Sequence, residues 1–308
     1  MRPFHRLPFE TLPEVPRRPH AYSSTTRREI TTRSRALGAL RIHYREAGEG
    51  PPLLLIHGLM TSSYSWRYVI EPLARRFRLI IPDLPGAGES QAGPSGAYGA
   101  AEIAAWIGDF QEALGIVGCL AIGNSMGGYL CMRRALEAPG AFAKLVNIHS
   151  PAFPDAKLDL LGVVAKAPGA AALAAWLARR DPLRWAHRNV HYYDESLKSL
   201  EEARAYGEPL RTAEGSRAFA AFLTETMAPA ALRAWTGELG ARHRRGEAFP
   251  CPLMLLYSRQ DPLVAPENGR RLGALLPDAK LVWIDRTSHF AHVDTPEKVL
   301  DAVIPFLA

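Results

Sequence analysis

Cys119-Leu120-Ala121-Ile122-Gly123-Asn124-Ser125-Met126-Gly127-Gly128 is the stretch on which the fold turns. Its first four residues form an uninterrupted apolar run, as suits a strand buried on both faces. From Met126 to Leu136 the apolar positions follow a helical period. Between the two lies Gly-x-Ser-x-Gly. On a sharp strand-to-helix turn such a serine is strained and presents its hydroxyl at the strand end, while the flanking glycines leave room for the bend. The motif alone is short enough to arise by chance. Its placement between a strand and a helix gives it weight.

Working outward, the same grammar repeats. Leu53–Ile56, Leu79–Ile81, Leu145–Ile148, Leu253–Tyr257 and Leu281–Ile284 are further short apolar runs. Helical spacing marks Ser65–Arg75, Ala100–Leu114, Asn268–Leu276 and Pro296–Phe306. Strand and helix in alternation predict a parallel sheet covered on both faces. Upstream, Thr25–Arg35 and Ala39–Arg45 flank Leu37-Gly38 and predict an antiparallel hairpin. The alternation breaks once: residues 151–245 contain no strand signal, and helical spacing occurs at Ala170–Arg179, Ser196–Tyr206, Ser216–Met227 and Ala230–Gly237. About 95 residues is too long for an ordinary loop, so this is an all-helical insertion. The expected organisation is an extended Pro- and Arg-rich arm over 1–24, packed along the core surface, a core over 25–150 and 246–308, and the insertion over 151–245.

A serine hydroxyl needs a base, and the base an orienting acid. Asp261 follows the strand ending at Tyr257, and His289 lies in the loop after Ile284. With Ser125 they are delivered by three strand ends in the order Ser, Asp, His that this architecture uses. His292 competes as base and Asp155 as acid. His149, also after a strand, reads as a hydrogen-bonded structural histidine; Asp285 is expected to pair locally, and Asp83 to brace the loop Pro82–Ser90. The developing oxyanion needs two donors. The backbone N–H of Met126 is one, and that of Leu59, in His57-Gly58-Leu59-Met60, is the other.

Taken together, HGLM at His57, PDLPGAGES at Pro82, GNSMGG at Gly123, SRQDPLVAP around Asp261 and SHFAHVDTPE around His289 resemble the α/β-hydrolase superfamily. The resemblance implies an α/β-hydrolase fold, a mostly parallel central sheet flanked by helices, in which the insertion is a helical cap roofing the site. Dehalogenases and epoxide hydrolases of similar outline use an aspartate nucleophile, where this chain has Ser125. GNSMGG is similar to the carbon–carbon hydrolases that open ring-cleavage products, but their glycine-rich oxyanion loop and their tryptophan after the catalytic histidine are replaced by Leu59-Met60-Thr61 and Phe290. The expected activity is therefore hydrolysis of small to medium apolar carboxylic esters through an acyl-enzyme. Carbon–carbon hydrolysis, or perhydrolase or acyltransferase chemistry on the same triad, are the alternatives.

Composition narrows the partners. Of 308 residues 47% are hydrophobic and 22% charged, values that fit a packed globular chain and not a disordered one. No apolar run approaches the roughly 20 residues of a membrane span. No apolar region follows the basic N-terminus, so no secretory signal is visible and a cytoplasmic location is expected. The net charge of +6 comes from 37 Lys and Arg spread along the chain, so no nucleic-acid partner is expected. Cys119, Cys131 and Cys251 have neither metal spacing nor a CxxC pattern and read as buried packing. A small-molecule ester is the expected partner, with no metal or organic cofactor. The reading assigns no oligomeric state.

Overall fold

Leu53 and Leu55 face one way from their strand, Leu54 and Ile56 the other, and all four are fully buried. This parity runs through the neighbouring strands and divides the interior into two cores. One contains Leu54, Ile56, Ala121, Leu145 and Leu255; the other contains Leu53, Leu55, Ile122, Val146 and Leu256. An uninterrupted apolar run is what a strand covered on both faces requires. The computed structural model describes residues 3–154, 159–160, 162–163 and 167–308.

The sheet has eight strands: β1 (Thr26–Ser34), β2 (Gly38–Ala47), β3 (Pro52–Ile56), β4 (Arg78–Pro82), β5 (Cys119–Asn124), β6 (Phe142–Ile148), β7 (Leu253–Ser258) and β8 (Lys280–Ile284). Their spatial order is β1-β2-β4-β3-β5-β6-β7-β8. The β1–β2 hairpin is antiparallel and β2 joins β4 antiparallel, whereas β4, β3 and β5 to β8 run parallel. The first core is closed by α2 (Ala100–Leu114) and α3 (Met126–Glu137), the second by α1 (Ile70–Ala74) and, at the other end of the chain, by Val299, Val303 and Leu307.

Between β6 and β7 the described residues contain no strand. They form α4 (Ala170–Arg180), α5 (Pro182–Asn189), α6 (Leu200–Gly207), α7 (Ala213–Ala221) and α8 (Pro229–Arg244), the helical cap. The core then continues with α9 (Glu267–Leu275), α10 (Ala291–Asp294) and α11 (Pro296–Leu307).

Several elements differ from expectation. The predicted helix Ser65–Arg75 is a 3-10 turn, Ser63–Trp66, followed by α1. Its start is held by tertiary bonds, since the Ser63 N–H donates to the Asp83 carboxylate at 2.7 Å. Ser196–Tyr206 divides because the Ser199 hydroxyl accepts the Glu202 N–H at 3.1 Å and caps α6 there. Helix α5 was not expected, although Asp181-Pro182 carries its N-cap and Pro signals. The N-terminal arm follows the cap over its first half and the core, as expected, over its second, where Ala21 and Tyr22 pack against the second core and Arg18 pairs with Glu297 at 3.0 Å. Phe4 N–H donates to Tyr193 O at 3.0 Å, His187 Nε2 meets Leu7 O at 2.8 Å, and Pro13 O and Glu14 O accept from Leu200 and Glu201 at 2.9 and 3.0 Å.

Candidate active site

Ser125 joins β5 to α3 with φ 55° and ψ −122°. A non-glycine residue held in so sparsely populated a region is strained by about 1–3 kcal/mol. The surroundings hold it there: its N–H donates to Ile148 O at 2.7 Å, and its carbonyl accepts the Ser150 hydroxyl at 2.9 Å and the Tyr129 N–H at 3.0 Å. A methyl group at Gly127 would run into the carbonyls of Ile56 and His57, so only glycine lets α3 begin this close to the end of β3.

Helix α3 starts at Met126, whose N–H, in the first helical turn, has no intrahelical acceptor. From the other side the loop after β3 closes on the serine. A Cβ on Gly58 would stand 3.1 Å from that of Ser125. His57 braces the loop. Leu84 N–H can only donate, and it does so to His57 Nε2 at 3.0 Å, so the ring proton sits on Nδ1 and goes to Gly58 O at 2.8 Å. Burial holds the His57 pKa below its usual value, which keeps this neutral tautomer in place. Met60, with φ 62°, turns the chain away and leaves Leu59 packed partly buried beneath the cap.

Asp261 lies three residues beyond the end of β7. Its Oδ1 accepts the N–H groups of Leu263 and Val264 at 2.7 and 2.9 Å, and its Oδ2 meets His289 Nδ1 at 2.7 Å. Burial alone would raise this carboxyl, but the His289 imidazole and the backbone donors outweigh it and hold the pKa below the ordinary value. The group is thus a carboxylate at neutral pH. Nδ1–H of His289 is committed to it, and Nε2 is left as the basic nitrogen. Asn124 ties the elbow to this loop: its Nδ2 donates to His289 O at 3.1 Å and to Ile148 O at 3.3 Å.

The other described residues singled out from the sequence have packing or hydrogen-bonding partners. His149 is fully buried, its Nε2 accepts the Ser258 N–H, and its ring lies 5.7 Å from that of His289. Burial pulls its pKa down to about 4, so it stays neutral beside His289. His292 stacks on Trp66 at 4.5 Å, and neither ring nitrogen has a hydrogen-bond partner among the described residues. Asp285 pairs with Arg259 at 2.9 Å. Asp83 accepts from Ser63 and Glu89 N–H and bridges to His43. Asp155 lies outside the described residues. Cys119 and Cys131 are buried and Cys251 partly so; burial raises all three thiols, Cys119 and Cys251 to about 11, which keeps them protonated.

Three contributors were not read from the sequence: Asn124, Ser150 and Asp294. The first sits inside the Gly-x-Ser-x-Gly motif, where a polar residue was a usable signal. Asp294 joins the His289 loop to the cap, accepting Ser288 N–H at 2.7 Å and Tyr193 N–H at 2.9 Å. Burial raises its pKa to about 6.

Above Met126, a cavity of about 20 Å³ separates the loop at His57–Thr61 from Tyr206, Leu210, Phe219 and Phe222 of the cap. Its walls are mostly apolar. Among the described residues, no group of three or more His, Cys, Asp or Glu gathers to hold a metal ion, and no helix is long and apolar enough to cross a membrane.

The family model for the alpha/beta hydrolase fold matches residues 51–296. The chain belongs to that family. As an α/β-hydrolase it is 29% identical over 274 residues to haloalkane dehalogenase 2 of Mycobacterium tuberculosis, covering 86% of this chain and 90% of that one. It is 27% identical over 299 residues to 2-hydroxy-6-oxo-6-phenylhexa-2,4-dienoate hydrolase of Burkholderia cepacia, covering 92% and 97%. Among solved structures it is similar to a thermophilic esterase from Thermogutta terrifontis, with a TM-score of 0.68, 24% identity and coverage of 91% and 98%. That α/β-hydrolase likeness is one of fold.

Proposed function

We propose that this hydrolase cleaves carboxylic esters of small to medium apolar substrates, with Ser125 as nucleophile, His289 as general base and Asp261 as the acid that orients it. The observation that carries this reading is the 2.7 Å bond from His289 Nδ1 to a carboxylate whose other oxygen is filled by two backbone donors. It fixes the tautomer and leaves Nε2 to take the Ser125 proton as the hydroxyl attacks the ester carbonyl. The oxyanion that forms is held by the N–H groups of Met126 and Leu59. His289 then returns the proton to the departing alcohol, and a water it activates releases the acid from Ser125. A serine at the elbow supplies no carboxylate for attack on a carbon–halogen bond, which separates this chain from the activity in the dehalogenase's name.

A second reading is carbon–carbon hydrolysis on the same residues, favoured by the extent of likeness to the dienoate hydrolase. Turnover of p-nitrophenyl acetate through octanoate, set against a vinylogous diketone substrate, separates the two. With Ser125→Ala, ester turnover is expected to fall by about 10⁴-fold or more. Full activity in that variant would overturn the assignment, and selective turnover of the diketone would transfer it to the second reading.

A further inference from the structure

Helix α4 has two faces of different character. Inward, Ala178 is fully buried against Leu210 and Phe219, both of which line the cavity above Met126. Outward, Leu173, Trp176 and Leu177 are 56%, 48% and 41% exposed. Their spacing stacks them in one stripe, which Arg180 continues one turn on. Leu160 and Val163, just upstream, are also exposed. Five of the eight large apolar residues exposed among the described residues therefore fall in this short stretch, which is not the single scatter of an ordinary surface.

Beside the stripe a groove of about 390 Å³ opens between α4 and α7. Ala172, Ala175, Trp176 and Ala220 wall it, Arg179 and Arg217 edge it, and Glu225, which accepts the Tyr98 N–H, is its one carboxylate. Helix α4 carries Arg179 and Arg180 and no carboxylate. The Arg180 guanidinium lies over the Trp176 ring at 5.6 Å.

We propose that this outer face of α4, with its groove, docks the protein on an anionic lipid–water interface. Apolar side chains on one helical stripe enter the boundary between head groups and acyl chains, tryptophan favours that boundary, and arginines at its edge meet anionic head groups. A second copy of the chain suits the face less well, because the same face on a partner offers Arg179, Arg180 and Arg217 against the single groove carboxylate of Glu225, which already accepts the Tyr98 N–H.

The test is sedimentation of the full chain with vesicles of phosphatidylcholine alone or mixed with phosphatidylglycerol, at low and high salt. Wild type is expected to sediment with the phosphatidylglycerol vesicles, more strongly at low salt. Leu173→Gln with Trp176→Gln is expected to lower the partition by about tenfold or more. Arg179→Gln with Arg180→Gln lowers it by a similar factor on anionic vesicles and flattens the salt dependence. Thermal melts and vesicle-free turnover of p-nitrophenyl acetate should match wild type in both variants. Wild type that stays in the supernatant, or a Leu173/Trp176 variant that sediments equally, overturns the proposal. So does a dimer, broken by that variant, in a chain that ignores vesicles. The vesicle measurement uses no substrate, so failure of the ester-cleaving reading would leave it standing.

Discussion

At the scale of single residues, the site depends on groups that never meet a substrate. Asn124 is fully buried and spends its amide on two carbonyls, one on the strand beside the elbow and one on His289 itself. Because a displacement of the order of 1 Å can cost about 100-fold in rate, its truncation should act on chemistry more than on binding. Asn124→Ala is expected to lower kcat by about tenfold with KM little changed, and to lower stability by about 1–3 kcal/mol as His289 O loses its donor and Ile148 O keeps only the Ser125 N–H. Steady-state kinetics with a short-chain p-nitrophenyl ester, beside a thermal melt, read both. An unchanged kcat in a destabilised variant would limit Asn124 to a structural part.

At the scale of elements, the cap is locked to the core by a buried ion pair. Arg67, after the turn Ser63–Trp66, is fully buried and reaches Glu202 of α6 at 2.5 Å. Its guanidinium lies 4.6 and 4.5 Å from the ring centroids of Tyr64 and Tyr68, and Glu202 also accepts the Tyr192 hydroxyl at 2.6 Å. Removing one partner leaves the other charge buried without compensation, whereas removing both does not. Glu202→Gln is accordingly expected to destabilise by about 3–5 kcal/mol, and Arg67→Met with Glu202→Met by clearly less. Denaturant unfolding of the three chains tests this, and equal losses in single and double variants would contradict it. The arm reinforces the lock by bonding to α6 at Leu200 and Glu201 and, through Leu7 O, to His187 of α5.

At the scale of the whole molecule, buried titratable groups set how stability follows pH. His149 is held down to about 4 in the folded chain, against 6.5 when free. The unfolded chain therefore binds the extra proton first, and the stability from neutral His149 is complete above about 6.5 and lost as pH falls toward 4. The buried rings of His57 and His292, also depressed, act in the same direction. Asp294 opposes them. Its pKa is raised from 3.8 to about 6, so its contribution is full at low pH and lost as pH rises through 6. Between pH 4 and 6, His149→Asn should flatten the fall of unfolding free energy with acid, and Asp294→Asn should steepen it, each by up to about 1.4 kcal/mol per pH unit. Denaturant titrations at several pH values measure those slopes, and slopes that change together would refute the assignment.

Much of this was legible in one dimension because it rests on local rules. The apolar runs, the Gly-x-Ser-x-Gly bend, and Asp261 and His289 just past strand ends are set by what a two-sided sheet and a sharp turn demand of neighbouring residues. The short turn in place of a helix at Ser63–Trp66, the first half of the arm along the cap, the neutral state of His149 and the reach of Asn124 to His289 were not legible. Each depends on a partner far along the chain, and only the folded packing brings that partner within a hydrogen bond's length or excludes water from both.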